Sequence, residues 1–220
     1  MKESFKKEIA FERVLFFSDA IVAIAITLLA LNLKLEIPSG QHLSFADLLR
    51  PWKTILAFVL SFINIANFWK THHDFFIYIN RLDRVLVLLN IAWLFLIVVL
   101  PFSTTVVSSY FGDSPAIFLY SLNVLLITIL QNLIWDYAAL RKNFLSPDIA
   151  PEQQRRYALM CNLDMANGAI AVVLSFFHPT LAFVLLFTKV PLFLIGALYI
   201  LQERRKEIYR DGRPRSRPPF

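Results

Sequence analysis

Residues 11–34 read FERVLFFSDAIVAIAITLLALNLK. The stretch opens on charges, becomes almost wholly apolar after Asp19, and carries Ser18 and Asp19 where apolarity takes over. About 20 residues in helical form, rising about 1.5 Å each, cross a hydrocarbon core about 30 Å thick. Lipid offers the backbone no hydrogen-bond partner, so such a segment has to be a helix. The sequence therefore describes an all-α membrane protein, and it raises a question: what is a carboxylate doing at the mouth of a greasy helix?

The rest of the chain agrees with that class. Its 220 residues are 57% hydrophobic, 15% aromatic and only 17% charged, too apolar for an ordinary soluble domain. Six spans are expected, at about 14–33, 54–77, 82–102, 115–137, 157–177 and 180–202. The second is the most polar, interrupted by Ser61, Asn64, Asn67 and Lys70. The first apolar run is too long for a signal peptide and lacks a small-residue cleavage site, so it is expected to stay in the chain. Cys161, the single cysteine, falls inside the fifth span and reads as a small buried hydrophobe.

Lysine and arginine set the expected orientation, since cytoplasmic connections carry the excess of positive charge. Lys2, Lys6, Lys7 and Arg13 precede the first span, Lys70, Arg81 and Arg84 surround the second connection, and Arg141, Lys142, Arg155 and Arg156 surround the fourth. The opposite side carries Lys34, Arg50 and Lys53 alone. Both termini are thus expected in the cytoplasm, which requires an even number of spans. Residues 1–203 form one expected transmembrane domain, and 204–220 a basic cytoplasmic tail whose Arg and Pro content argues against a folded element. That tail accounts for most of the net charge of +6; it reads as a topology signal resting on anionic lipid, and a nucleic-acid partner is not needed to explain it. In the 34–51 connection, Leu43, Phe45, Leu48 and Leu49 suggest a short interfacial helix. No Walker or dinucleotide-binding pattern occurs, and five glycines leave little for a phosphate cradle.

On a helical wheel of the first span, Phe17, Ala20, Ile24, Thr27, Leu28 and Leu31 fall within an arc of about 100°. Ser18 and Asp19 lie off that arc. Arg13 and Asp19 are about 9 Å apart along the axis and about 120° apart around it, a poor pair within one helix. An unpaired carboxylate in a membrane is costly, so Asp19 needs a partner on a neighbouring helix. The second span ends NFWKTHHDFF, offering Asn67, Trp69, His72 and His73; the third begins RLDRVLVLLNIAW, offering Asn90 and Trp93. Amide, indole and imidazole groups can all donate, which makes a hydrogen-bonded clamp the expected arrangement.

The segment RVLFFSD, with Arg13, Phe17, Ser18 and Asp19, is similar to the RxxxFSD signature opening the first helix of the transmembrane protein 175 family of potassium channels. The FWKTHH stretch, the RLDR connection and the segment from NIAW to PFSTT (Pro101, Phe102, Thr104) also resemble that family. The likeness is densest over residues 11–34 and generic beyond about 105. It implies a cation channel whose pore is lined by first helices from neighbouring subunits, with potassium as the permeant ion and no cofactor. One FSD copy resembles the bacterial type, for which the likeness implies a homotetramer in the cell membrane. Carried over, the pore stripe is Ile24, Leu28 and Leu31 with Thr27 alongside, a hydrophobic constriction able to close by dewetting. Without the resemblance, the same stripe reads as an ordinary helix-packing face, which such spacing marks far more often than a pore.

Other polar residues read as structural. His72, His73 and Asp74 lack the spacing of a metal site, since adjacent histidines point about 100° apart on a helix. Asp164 and Lys189 are the remaining charges inside spans, free to pair, to line a side cavity or to snorkel. Pro101 and Pro191 can kink their helices without implying a gate. Two other classes remain open: a secondary transporter of a cation or small solute, which broken helices would favour, and an intramembrane enzyme, for which no acid, base or metal constellation is visible.

Overall fold

The computed structural model describes residues 2–34, 42–140 and 144–187. A compact unit ends at Leu186, and the second unit, from Phe187 onward, lies outside the described residues but for Phe187 itself. The greater part of the expected sixth span, Lys189, Pro191 and the basic tail therefore fall outside them, as do Arg141, Lys142 and the Pro38–Gly40 turn.

Helix α1 runs Lys2–Leu28 and tightens into a 3-10 turn over Leu29–Asn32. Helix α2 spans Phe45–Leu49, α3 Trp52–Tyr78, α4 Arg84–Ser109, α5 Ser114–Leu140, α6 Pro151–Phe177 and α7 Pro179–Leu186. Five segments among the described residues are long and apolar enough to cross a membrane: Ile9–Asn32, Trp52–Tyr78, Arg84–Ser109, Ser114–Ala139 and Pro151–Phe177. Helix α7 begins where the sixth span is expected and is described to Leu186.

Local chemistry explains the helix ends. Asp83 caps α4 by accepting from the Leu86 amide at 2.9 Å. Pro151 occupies the first turn of α6, where a missing N–H costs nothing. Ser44 and Asp47 form a reciprocal capping box on α2: the Ser44 amide donates to Asp47 Oδ2 at 2.9 Å, and the Asp47 amide donates to Ser44 Oγ at 3.4 Å. The expected interfacial helix is thus present at Phe45–Leu49, with Phe45 and Leu49 both exposed.

Two helices outrun their expected bounds. Helix α4 extends to Ser109 rather than ending near 102, and its polar stretch explains why. Ser103 and Thr104 donate their hydroxyls to the Leu100 carbonyl at 2.9 and 2.8 Å, and Thr105 to that of Pro101 at 3.0 Å. Hydroxyls returned to the backbone make the run Ser103, Thr104, Thr105 compatible with a membrane helix. Helix α6 starts at Pro151 rather than near 157, because its first turns, bearing Glu152, Arg155 and Arg156, are exposed.

Helix α5 packs on α4 and α6, α6 on α7, and α1 on both α3 and α4. Gly168 permits a close approach of α6 to α5: a Cβ there would stand 3.2 Å from Leu125 Cα. Apolar side chains face outward along α4, where Val85, Leu88, Ile91, Phe95, Val98 and Phe102 are all exposed at helical spacing. The interior holds Ser61, Asn64, His72, Asn90, Thr104 and other polar side chains. That distribution suits a chain whose solvent is hydrocarbon.

Candidate functional site

Helix α1 has two faces. Ser18, Val22, Ala25 and Leu29, spaced four, three and four residues apart, are buried against the rest of the chain. Across the helix, Phe17, Ile24, Leu28 and Leu31 are 57, 59, 39 and 67% exposed, and Ala20 and Thr27 are exposed with them. The arc picked out on the wheel is thus the face that α1 leaves uncovered in a single chain. Thr27 donates its hydroxyl to the Ile24 carbonyl at 2.8 Å, which leaves its lone pairs outward. Leu31 stands on the 3-10 turn, where each residue advances about 120° instead of about 100°, so its direction departs from the α-helical wheel while its exposure persists.

The buried face is tied down by a directed chain of hydrogen bonds. Asn90 Nδ2 of α4 donates to Ser18 Oγ at 2.9 Å, and Ser18 Oγ donates to the Val14 carbonyl at 2.8 Å. Since the Asn90 amide nitrogen is committed, its Oδ1 faces His72 Nε2 at 2.8 Å, and that nitrogen carries the proton and donates. His72 lies flat against Trp93, with ring centroids 4.4 Å apart and an interplanar angle of 14°, and Phe76 packs 4.5 Å away. Ser18, His72, Asn90 and Trp93 are all buried. Three helices therefore meet at one residue of α1.

Asp19 is held separately. Trp69 Nε1 of α3 donates to Asp19 Oδ1 at 2.8 Å, at an exposed position, and His73 stacks on Trp69 with centroids 5.5 Å apart. Asp19 is exposed in the single chain, so it does not bear the full cost of burial inside the bundle. The other members of the expected clamp stand apart. Arg13 is exposed and has no ion pair among the described residues, Asn67 has no hydrogen-bond partner among them, and Phe17 points outward. Lys70 and Asp74 pair with each other at 2.7 Å along α3. Asp164 is half-buried and has an interaction partner.

Sequence reading did not anticipate a second polar junction, in which Ser61 and Asn64 of α3 meet Thr104 and Tyr120. The signal was present in Tyr120, a hydroxyl-bearing ring near the start of the fourth span. Nor did it anticipate the Gln131 amide donating to the Phe68 carbonyl at 3.0 Å. No group of three or more His, Cys, Asp or Glu able to hold a metal ion occurs among the described residues.

A bundle of membrane-crossing helices, with polar side chains inside, an apolar outer surface and a first helix bound by one face only, defines a multi-pass α-helical membrane protein. Residues 13–101 match the family described as endosomal/lysosomal potassium channel TMEM175. Over that stretch, less than half of its length, the chain is similar to the TMEM175 family. It is 29% identical over 168 residues to a potassium channel of Streptomyces collinus, covering 74% of this chain and 82% of that one. A potassium channel of Chamaesiphon minutus is 34% identical over 134 residues, 58% of this chain and 65% of the relative. The endosomal/lysosomal proton channel TMEM175 of Gallus gallus is 28% identical over 180 residues, which are 79% of this chain and 36% of that longer protein. Among solved structures, a lysosomal potassium-selective channel TMEM175 homolog from Chamaesiphon minutus superposes with a TM-score of 0.72 at 27% identity, over 85% of this chain and 97% of that one. These bacterial relatives, with the apolar helices, make the chain a multi-pass protein of the bacterial cell membrane.

Proposed function

We propose that the protein is a potassium-permeable cation channel that conducts passively through a pore lined by α1 from four identical chains. The observation that carries this reading is the two-faced first helix: one face is bound to its own subunit, while Ile24, Thr27, Leu28 and Leu31 stand exposed on the other. The bacterial relatives named potassium channels supply the permeant ion. In this arrangement Ile24 and Leu28 form a hydrophobic constriction that excludes water when narrow and admits a partly hydrated ion when the helices separate. Thr27, the polar residue on that arc, offers oxygen lone pairs to the ion. The bonds through Ser18 and Asp19 orient α1 so that its uncharged residues meet the ion. Six spans per chain, both termini in the cytoplasm and a basic tail lying against anionic lipid complete the proposal. It needs neither an enzymatic step nor a cofactor.

Purified protein in liposomes tests it. A potassium gradient should drive a flux that needs no coupled ion and does not saturate like a carrier. Ile24→Asn and Leu28→Asn should each raise the flux or change the ratio of potassium to sodium permeability by several-fold. Native mass spectrometry should find four copies. Flux coupled to a second ion, or permeation that both substitutions leave untouched, would refute the pore assignment.

A further inference from the structure

Where α3 ends and α6 begins, a cleft of about 510 Å³ is lined by Lys70, Asp74, Glu152, Arg156, Tyr157 and Met160, with Ala150 and Gln153. Side chains tie the two helices together beside it. Gln153 Nε2 donates to Tyr78 Oη at 2.6 Å, and the Tyr157 ring meets Phe75 at 5.6 Å and Trp135 at 5.1 Å, both edge-on. Four charged side chains face the cleft, two of each sign. Lys70 Nζ donates to Asp74 Oδ2 at 2.7 Å, so that pair balances itself, with 56% of the lysine and 24% of the aspartate side chain still exposed. Glu152 and Arg156 stand one turn apart on α6, both exposed, and neither has an ion pair among the described residues. Glutamate four residues ahead of arginine is the order in which helical neighbours attract, yet both line the cleft unpaired.

Position narrows what such a cleft can take. It lies at the ends of two membrane-crossing helices, Trp52–Tyr78 and Pro151–Phe177, the level at which hydrocarbon gives way to headgroups. From Arg156 an apolar track leads along α6 into the span. Met160, Leu163 and Ile170 fall within about 40° of Arg156 around the helix and are 50, 60 and 52% exposed. A charged cleft continued by an apolar track suits a molecule with a polar head and hydrocarbon chains. Two cations alone would suit a purely anionic head, since guanidinium and ammonium groups both bind phosphate. Two carboxylates beside them would repel one, and call for a cation with N–H groups to donate.

We propose that this cleft holds the headgroup of a phospholipid bearing a primary ammonium, of the phosphatidylethanolamine class. Arg156 binds the phosphate, Glu152 accepts from the ammonium, the Lys70–Asp74 pair flanks them, and the acyl chains run along Met160, Leu163 and Ile170. Such a site needs only that the chain span a membrane, whatever passes through it.

Native mass spectrometry of the full-length protein, with dioleoyl phosphatidylethanolamine, phosphatidylglycerol or phosphatidylcholine added at equal concentration, tests the site. The ethanolamine lipid should be retained several-fold more than either of the others. Arg156→Gln should lower its retention several-fold, and Glu152→Gln should erase its advantage over phosphatidylglycerol. Both residues are exposed, so neither substitution threatens the fold. Arg155→Gln, which alters an exposed charge one residue from the cleft lining, should leave retention unchanged. Equal retention of the three lipids, a preference for phosphatidylglycerol, or an Arg155→Gln effect as large as that of Arg156→Gln would overturn the proposal. Retention of O-phosphoethanolamine as tight as that of the lipid would do so too, because the occupant would then be a soluble phosphate ester.

Discussion

Asn90 is the residue on which α1 depends most directly. Its amide donates to Ser18 and accepts from His72, and both partners are buried, so no water can replace it. Asn90→Ala should destabilise the protein by about 1–3 kcal/mol, the cost of leaving buried polar groups unmet. Trp69→Phe removes a bond of similar length to Asp19, but at an exposed rather than a buried position, and it should cost less than about 1 kcal/mol. Thermal denaturation of both variants in one detergent checks the order, and an equal or reversed effect would contradict it. At this scale the sequence was informative about Asp19, whose need for a donor on a neighbouring helix follows from electrostatics alone, although it left the second and third spans both open as the source. It was silent on the direction of the Ser18 chain, because a hydroxyl can donate or accept and only the position of the Val14 carbonyl decides.

Among the elements, boundaries were harder to read than existence. A hydropathy reading ends the third span near Pro101 and Phe102, since polar residues follow, yet α4 continues for seven residues beyond Phe102. Side chains that bond to their own helix carry polarity in the sequence without presenting it to lipid, and no composition scale separates the two. Helix contacts make sharper predictions. Gly168→Ala would place a methyl 3.2 Å from Leu125 Cα, a backbone atom that cannot swing aside as a side chain can. The substitution should separate α5 from α6 and cost about 1–3 kcal/mol, again read as a lowered melting temperature. An unchanged melting temperature would mean that the two helices adjust freely.

Helix α2 makes a prediction about pH. The hydrogen bonds from the Ser44 side chain and then the Ser44 amide, followed by the charge of Arg50 at 3.1 Å, hold the Asp47 carboxyl below the usual carboxylate range. A depressed value means that the folded helix favours the ionised form. Its contribution is complete above the ordinary aspartate value and is lost as pH falls through the lower folded one. Amide protection at Ser44–Leu49, taken relative to the intrinsic exchange rate at each pH, should therefore be lower in acid than near neutrality, whereas Asp47→Asn should show the low protection at both.

Across the described unit, the helical class and the first five spans followed from apolar length, and the uncovered arc of α1 followed from its spacing. What the sequence does not reveal is how distant stretches meet. Ser61, Thr104 and Tyr120 lie far apart along the chain, and nothing local to any of them announces the other two. The same is true where the chain briefly abandons helix. Ile79 and Leu145 form an isolated antiparallel bridge, with the Asn80 amide donating to the Phe144 carbonyl and the Ser146 amide to that of Tyr78, both at 2.7 Å.

A hairpin of two membrane helices is ordinarily fastened at its turn and open at the other end. The α4–α5 hairpin is fastened at both, by the Tyr110–Asp113 turn and by this bridge between the strands that enter and leave it. It is a buckled loop. Because the buckle is made of backbone groups, exchanging the side chains of Ile79 or Leu145 for other apolar ones should leave it shut. Proline at Asn80 or Ser146 removes a donated N–H and should let the two connections part, seen as a widened spin-label distance between positions 79 and 145. The integrity of that end is thus written into chain geometry rather than residue identity, and it can persist through extensive sequence drift.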